Sequence, residues 1–253
     1  MSTTRDVPAG GYRYVPGVFQ YSAGVAANPG FVIERAAFET PLPMEEGFAV
    51  AERFLEEIGR PTQALCACEL RSPAPFSEGG FKDFNLSYVD ILARWKICGE
   101  DANPVARTNV CPVFDPPAAP CLYAFSYTVL APGAPSGGTF VVAGSGEAPE
   151  GRANYRDHIV RFGDTSAEAM RDKLVYVAAE MSRRLSALGF SIDDVQAVRA
   201  YSAHDIGHLI VSDLARSGFA RHGVTWHPCR PPVLGLETEM DVRRTAREIL
   251  LFS

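Results

Sequence analysis

The chain carries one order of elements twice, on either side of a Gly/Pro/Ser segment, Ala131-Pro-Gly-Ala-Pro-Ser-Gly-Gly-Thr139. Repetition on this scale points to two copies of one small unit rather than one large domain. Each copy reads as strand, glycine-marked turn, strand, amphipathic helix, glycine stop, alternating strand, second helix and two closing strands. The expected architecture is α+β, with tandem domains over 12–131 and 138–250, each a mostly antiparallel sheet carrying helices on one face. The other face of each sheet then needs cover from a partner domain or subunit.

In the second copy Met170, Leu174, Val177, Met181, Leu185 and Leu188 recur at steps of three and four, which predicts a surface helix with one apolar stripe, stopped by Gly189. Met44, Phe48, Ala51, Leu55 and Ile58 repeat the pattern in the first copy, with Gly59 as the stop. Strands are predicted after each glycine, at Ala64–Leu70 and Val195–Tyr201. Upstream, Val18–Gly24 and Phe140–Glu147 read as short strands running into small-residue turns. Downstream, Asp83–Leu92 and Asp205–Leu214 read as second helices, each opened by an acidic cap.

With 47% hydrophobic residues in 253, the chain can build two cores in domains of about 110 to 120 residues. No apolar run approaches the roughly 18 residues of a membrane span, and the start lacks the apolar segment of a secretory signal, so a cytoplasmic protein without a membrane partner is expected. A net charge of -6 and the absence of a basic patch argue against a nucleic-acid partner, because clustered Lys and Arg supply most of such affinity. The six cysteines lack zinc-ribbon spacing and read as reduced thiols. His204 and His208 stand one helical turn apart, yet no glutamate follows His204 as in the metalloprotease motif, and no metal is expected.

From residue 12 to 248 the pattern resembles the RidA/YjgF/Rid family, whose members hydrolyse reactive imines and enamines. Ser145-Gly146-Glu147 is similar to the family's Ser-Gly-Gln turn, with Ser22-Ala23-Gly24 as a looser counterpart. Pro104-Val-Ala-Arg107 is similar to the segment whose arginine grips the substrate carboxylate, and Leu236-Glu237-Thr-Glu239 to the last-strand pair whose first glutamate activates water. The copies divide these motifs. The first has Leu122-Tyr-Ala-Phe125 in place of the glutamates, and the second has Trp226-His-Pro-Cys229-Arg230 in place of the arginine segment. A weaker likeness joins Cys229-Arg230 and the following glutamates to the chorismatases, enzymes built from two copies of this chorismate mutase-like fold.

In the family, arginine and glutamate come from neighbouring strands of one domain. Arg107 is therefore not expected to share a pocket with Glu237. The candidate catalytic pair is Glu237 with Arg230, and Arg221 is a rival anchor. Arg107, Cys229, Glu239, Tyr201, Gly146 and Glu147 are expected to bind substrate; Tyr14 and Tyr21 resemble further pocket-shaping aromatics. Guanidinium suits the anchor because its planar fork matches a carboxylate, and glutamate can move the proton. Cys229 beside Arg230 is a candidate thiolate, since a neighbouring cation favours that form.

The resemblance implies hydrolytic deamination of a small carboxylated imine or enamine, without cofactor. It also implies a homo-oligomer, three chains forming a pseudo-hexamer, whereas the chorismatase likeness allows a monomer with an inter-domain cleft. The alternatives are chorismatase-like cleavage of an enolpyruvyl ether, and a ligand-binding module without catalysis.

Overall fold

A computed structural model describes residues 4–99, 102–134, 138–152 and 154–252; the middle of the predicted linker, 135–137, lies outside them. Strands β1 (Arg5–Val7), β2 (Tyr12–Val15), β3 (Gly24–Ala27), β8 (Phe140–Gly146), β9 (Ala197–Tyr201), β10 (Thr225–His227) and β12 (Glu239–Arg244) form one sheet, in the order β1-β2-β3-β8-β12-β9-β10. The second sheet comprises β4 (Phe31–Pro43), β5 (Leu65–Arg71), β6 (Ala106–Pro112), β7 (Cys121–Leu130), β11 (Cys229–Arg230) and β13 (Arg247–Leu251), in the order β11-β6-β5-β7-β4-β13. Both are mixed sheets, mainly antiparallel, with the parallel pairs β5–β6, β4–β13 and β9–β10.

Strands cross between the halves read from the sequence. The hairpin of β2 and β3, counted with 12–131, continues the seven-stranded sheet through β3–β8 pairing. In exchange, β11 and β13 from 138–250 close the two edges of the six-stranded sheet.

Helices α1 (Met44–Glu57) and α2 (Glu78–Arg94) cover the outer face of the six-stranded sheet, where Phe48, Leu55, Phe84 and Tyr88 pack on Leu70, Leu122 and Phe125. Helix α3 (Ala167–Leu188) does the same for the other sheet, its stripe of Met170, Leu174, Val177, Met181 and Leu185 packing on Phe140, Val142 and Met240. Each such side chain contributes about 1.5–3 kcal/mol through burial. Gly59 and Gly189 follow the helices at φ 69° and 89°, left-handed geometry that glycine adopts without a steric cost.

Three local expectations shift. Helix α2 starts five residues before Asp83, because Ser77 Oγ accepts from the Gly80 N–H and caps it there. In the second copy only a short helix, α4 (Gly207–Leu209), and a π-turn over Ile210–Leu214 form, with Asp205 Oδ1 accepting from the Gly207 N–H. Val18–Gly24 is not a strand either: Val18 and Tyr21 bridge to each other across a tight turn, and β3 begins only at Gly24.

The inner faces of the two sheets cover each other. Tyr12, Val25, Val141 and Ala143 from one meet Ile33, Cys66 and Ala106 from the other. Farther along, the contact turns ionic: Glu69 on β5 accepts from Arg35 at 2.6 Å and 3.0 Å, from Arg199 at 2.5 Å, and from Arg243. Arg243 also donates to Asp241 at 2.6 Å, and Asp241 accepts from Tyr201 Oη at 2.7 Å and Thr108 Oγ1 at 3.2 Å. This buried network registers β9 and β12 against β4, β5 and β6.

Candidate active site

Strand β6 has partners along only part of its outer edge. Ser22 bridges to Ala106, and β11 pairs with Cys111 and Pro112. Between them the edge over Arg107, Thr108 and Asn109 has no strand partner among the described residues, and a narrow cleft of about 30 Å³ opens there. Side chains alternate along a strand. Thr108 accordingly points to Asp241 between the sheets, while Arg107 points the other way, to Asn85 on α2.

Arg107 is 3% exposed, and its Nη1 donates to Asn85 Oδ1 at 2.6 Å. The guanidinium carbon lies 4.9 Å from the ring centre of Tyr21, 5.0 Å from Tyr88, and 5.6 Å from both Phe81 and Phe84. Aromatic faces hold a cation without neutralising it. Among the described residues no carboxylate forms an ion pair with Arg107, so its charge remains available to the cleft.

The opposite wall comes from the other sheet. Glu239, the first residue of β12, is 4% exposed and lines the cleft beside Gly144, Ser145 and Gly146 of β8. The glycines make the room: a Cβ at Gly144 would run into Glu239 Oε1, and one at Gly146 would lie 2.9 Å from Leu236 Cδ1. Burial, reinforced by the Asp241 carboxylate, pushes Glu239 well above the ordinary carboxylate range, against the pull of Arg107 and Arg184. Burial thus favours the protonated acid, opposite a cation with no ion-pair partner among the described residues.

Phe81, Ala148, Pro232, Val233 and Leu236 supply apolar walls, with Tyr155 and Glu150 completing the lining. Glu150 Oε1 accepts from Tyr21 Oη at 2.6 Å and Arg184 Nη2 at 2.8 Å, fixing the tyrosine against Arg107. Burial pushes the Tyr155 phenol up to about 12, so it stays protonated.

Of the residues singled out in the sequence, Arg107, Glu239, Gly146 and Tyr21 meet in this cleft. Glu237 and Arg230 meet elsewhere. Glu237 precedes β12 and escapes its alternation, placing its Oε2 2.8 Å from His204 Nε2 and 3.9 Å from Arg230 Nη1, with Arg230 half exposed. Glu147 is fully buried and structural, its carboxylate accepting from the Glu237 N–H at 2.6 Å, the Thr238 N–H at 3.0 Å and Lys173 Nζ at 3.2 Å. It holds the loop whose Leu236 lines the cleft.

Arg221 is an exposed residue paired with Asp193 at 2.9 Å, far from this chemistry. Tyr201 donates to Asp241 inside the ionic network, and Tyr14 is buried on β2 between the sheets. Cys229 packs with Val110 and Tyr201, and burial pushes its thiol up to about 11, which outweighs the pull of Arg71. Burial thus works against the candidate thiolate. Among the described residues no group of three or more His, Cys, Asp or Glu stands at metal-binding spacing, and no helix is long and apolar enough to cross a membrane.

Asn85, Asn109, Gly144, Glu150 and Tyr155 were not anticipated. Asn109 had a signal, since it lies two residues beyond Arg107 and so on the same strand face. Glu150 and Tyr155 lie in irregular chain, where no periodicity marks them.

A sequence model described as 2-aminomuconate deaminase CnbZ matches residues 4–249. The chain is 52% identical over 242 residues to the 2-amino-5-chloromuconate deaminase of Comamonas testosteroni, covering 96% of each. Solved structures similar to it include a chorismatase, 14% identical with a TM-score of 0.48 over 87% of this chain and 77% of that one. Another is E. coli TdcF with bound serine, 12% identical with a TM-score of 0.30 over 46% and 90%. A third is Rv2704 of Mycobacterium tuberculosis, from the YjgF/YER057c/UK114 family, 22% identical with a TM-score of 0.28 over 47% and 83%. The chain belongs to the 2-aminomuconate deaminase CnbZ family, and is an enzyme that acts on C–N bonds.

Proposed function

We propose that this chain hydrolytically deaminates a small carboxylated enamine of the 2-aminomuconate class, in the cleft between Arg107 and Glu239. The observation that carries the reading is the buried Arg107 guanidinium, with no ion-pair partner among the described residues, sharing a cleft with a carboxyl group whose pKa burial raises. A buried cation without a counter-ion is costly, and a substrate carboxylate removes that cost while fixing the molecule's orientation. The name of the Comamonas relative, 2-amino-5-chloromuconate deaminase, supports the substrate class.

The steps follow from the protonation state. Glu239 as the acid donates a proton to a carbon of the enamine, giving the iminium ion and the Glu239 carboxylate. Water adds to the iminium carbon while that carboxylate takes one of its protons. The acid, restored, protonates the amino group of the tetrahedral adduct; the C–N bond breaks, ammonia leaves, and the adduct hydroxyl passes its proton to the Glu239 carboxylate to give the keto product. Enamine plus water thus becomes ketone plus ammonia, and Glu239 ends as it began. Arg107 holds the carboxylate throughout, drawing electron density from the adjacent carbon.

The test is ammonia release from 2-aminomuconate and from simple 2-imino acids, with pyruvate release from chorismate followed in parallel. Ammonia equal to the substrate consumed, reduced by both Glu239→Gln and Arg107→Ala, is the expected result. Absence of ammonia from every amino or imino substrate, or undiminished turnover in both variants, overturns the reading.

A further inference from the structure

One polar group lining the cleft has no hydrogen-bond partner among the described residues. Asn109 is 2% exposed and lines the cleft two residues beyond Arg107. Its Oδ1 accepts from Ser72 Oγ at 3.0 Å, and Ser72 is itself fully buried, its N–H donating to the Val110 carbonyl at 3.0 Å. That contact turns the other end of the amide, Nδ2, away from Ser72, and no acceptor among the described residues meets Nδ2. An orphaned buried donor costs about 1–3 kcal/mol, a penalty that a ligand oxygen would remove.

The position of Asn109 gives the cleft two poles. Tyr21 and Ser22 flank the Arg107 end, where Ser22 bridges to Ala106. Cys229 pairs with Pro112 and Arg230 with Cys111, so continuing that antiparallel register brings Pro232 beside Asn109. Pro232 and Val233 both line the cleft. Two residues of strand span about 6.6–6.8 Å, the length of a six-carbon chain. A linear unsaturated molecule lying along β6 would place one end at the cation and the other at the amide.

We infer that Asn109 Nδ2 donates to an oxygen at the far end of the substrate, making the site selective for unsaturated diacids over monoacids of the same length. The inference rests on the reading that Arg107 takes the first carboxylate. It assigns the second to a neutral donor, so discrimination comes from an unpaired amide left behind when the far oxygen is missing.

The experiment uses unreactive ligands. Binding of muconate and of sorbate, the six-carbon dienoic diacid and monoacid, is measured by calorimetry on the wild-type chain, Asn109→Ala and Asn109→Asp. The wild type is expected to bind muconate about 10- to 100-fold more tightly than sorbate. Asn109→Ala should bind both alike, with sorbate affinity unchanged within about threefold, the ordinary scatter of such effects. Asn109→Asp keeps the size and the acceptor for Ser72 while replacing the donor, and should reverse the preference; it decides the matter if the alanine variant fails to fold. Equal binding of the two ligands by the wild type, or an unchanged ratio in the folded variants, overturns the inference. Ammonia release from 2-aminomuconate is scored separately, so a catalytically silent protein that still prefers muconate would sink the deaminase reading and leave this one standing.

Discussion

Arg107 and Glu239 reach one cleft from different sheets and opposite halves of the chain, Arg107 from β6 and Glu239 from β12. Each half alone holds one of the two groups. The packing of β6 against β8 and the ionic network around Glu69 bring them together, so the site exists only in the assembled pair of sheets.

Glu239→Gln is expected to lower kcat by about 10²–10⁴ with a small effect on KM, since it removes the proton and keeps the shape. The native carboxyl titrates well above the ordinary range, so the active acid form is lost as pH rises through that raised value. The folded state also binds its proton more tightly than the unfolded state. Stability therefore falls with rising pH, from the ordinary carboxylate range up to the raised value. Glutamine abolishes that loss, and scanning calorimetry at neutral pH should show a higher Tm for the inactive variant.

Arg107→Lys tests the anchor. Lysine keeps the charge, loses the planar fork, and cannot fill the space among Tyr21, Tyr88, Phe81 and Phe84. Steady-state kinetics should show KM raised by about 10- to 100-fold, the loss of one charge-assisted hydrogen bond of about 1.5–3 kcal/mol.

Gly144→Ala separates site from fold. The new methyl would occupy the place of Glu239 Oε1 and lie 3.1 Å from Thr108 Oγ1. A glutamate tip can swing aside, so thermal melting should move little. Turnover should fall by at least about tenfold, because a misplaced acid transfers its proton poorly.

Much of the fold was legible because periodicity records burial. The stripe from Met170 to Leu188 and its Gly189 stop became α3, and Phe140–Glu147 became β8. Pairing between distant strands left no such trace. Nothing in the Tyr12–Val15 segment shows that its neighbour across β3 is β8 rather than β4, and that one connection determines which half supplies the acid to Arg107. Glu237 and Arg230 do stand together, 3.9 Å apart, but Glu237 lies two residues before the regular strand, where alternation no longer tells which way a side chain points.

Cys229→Ser should leave kcat within about twofold, as expected for a near-isosteric change away from the reacting groups. The thiol, pushed up to about 11, is protonated at neutral pH, and the side chain packs on Val110 and Tyr201. Iodoacetamide at pH 7 should therefore leave activity intact; rapid inactivation that the serine variant escapes would restore the thiolate reading.

Glu69→Gln probes what holds the two sheets in register. Burial alone would raise the Glu69 pKa, but Arg243, Arg35 and Arg199 together bring it well below the usual carboxylate range. Its stabilising effect is thus complete above the unfolded-state pKa and is lost as pH falls from there toward the depressed folded value. Glutamine leaves the buried guanidiniums of Arg35 and Arg243 and the partly buried one of Arg199 facing a neutral amide, and breaking a buried pair in this way costs about 3–5 kcal/mol. Urea unfolding at pH 7 should show that loss in full. Between pH 4 and the acid-unfolding midpoint the wild-type and variant curves should converge, because protonation does to the wild-type carboxylate what the substitution has already done. A difference that stays constant down to acid pH would mean that the charge on Glu69 is not what joins β5 to β9 and β12.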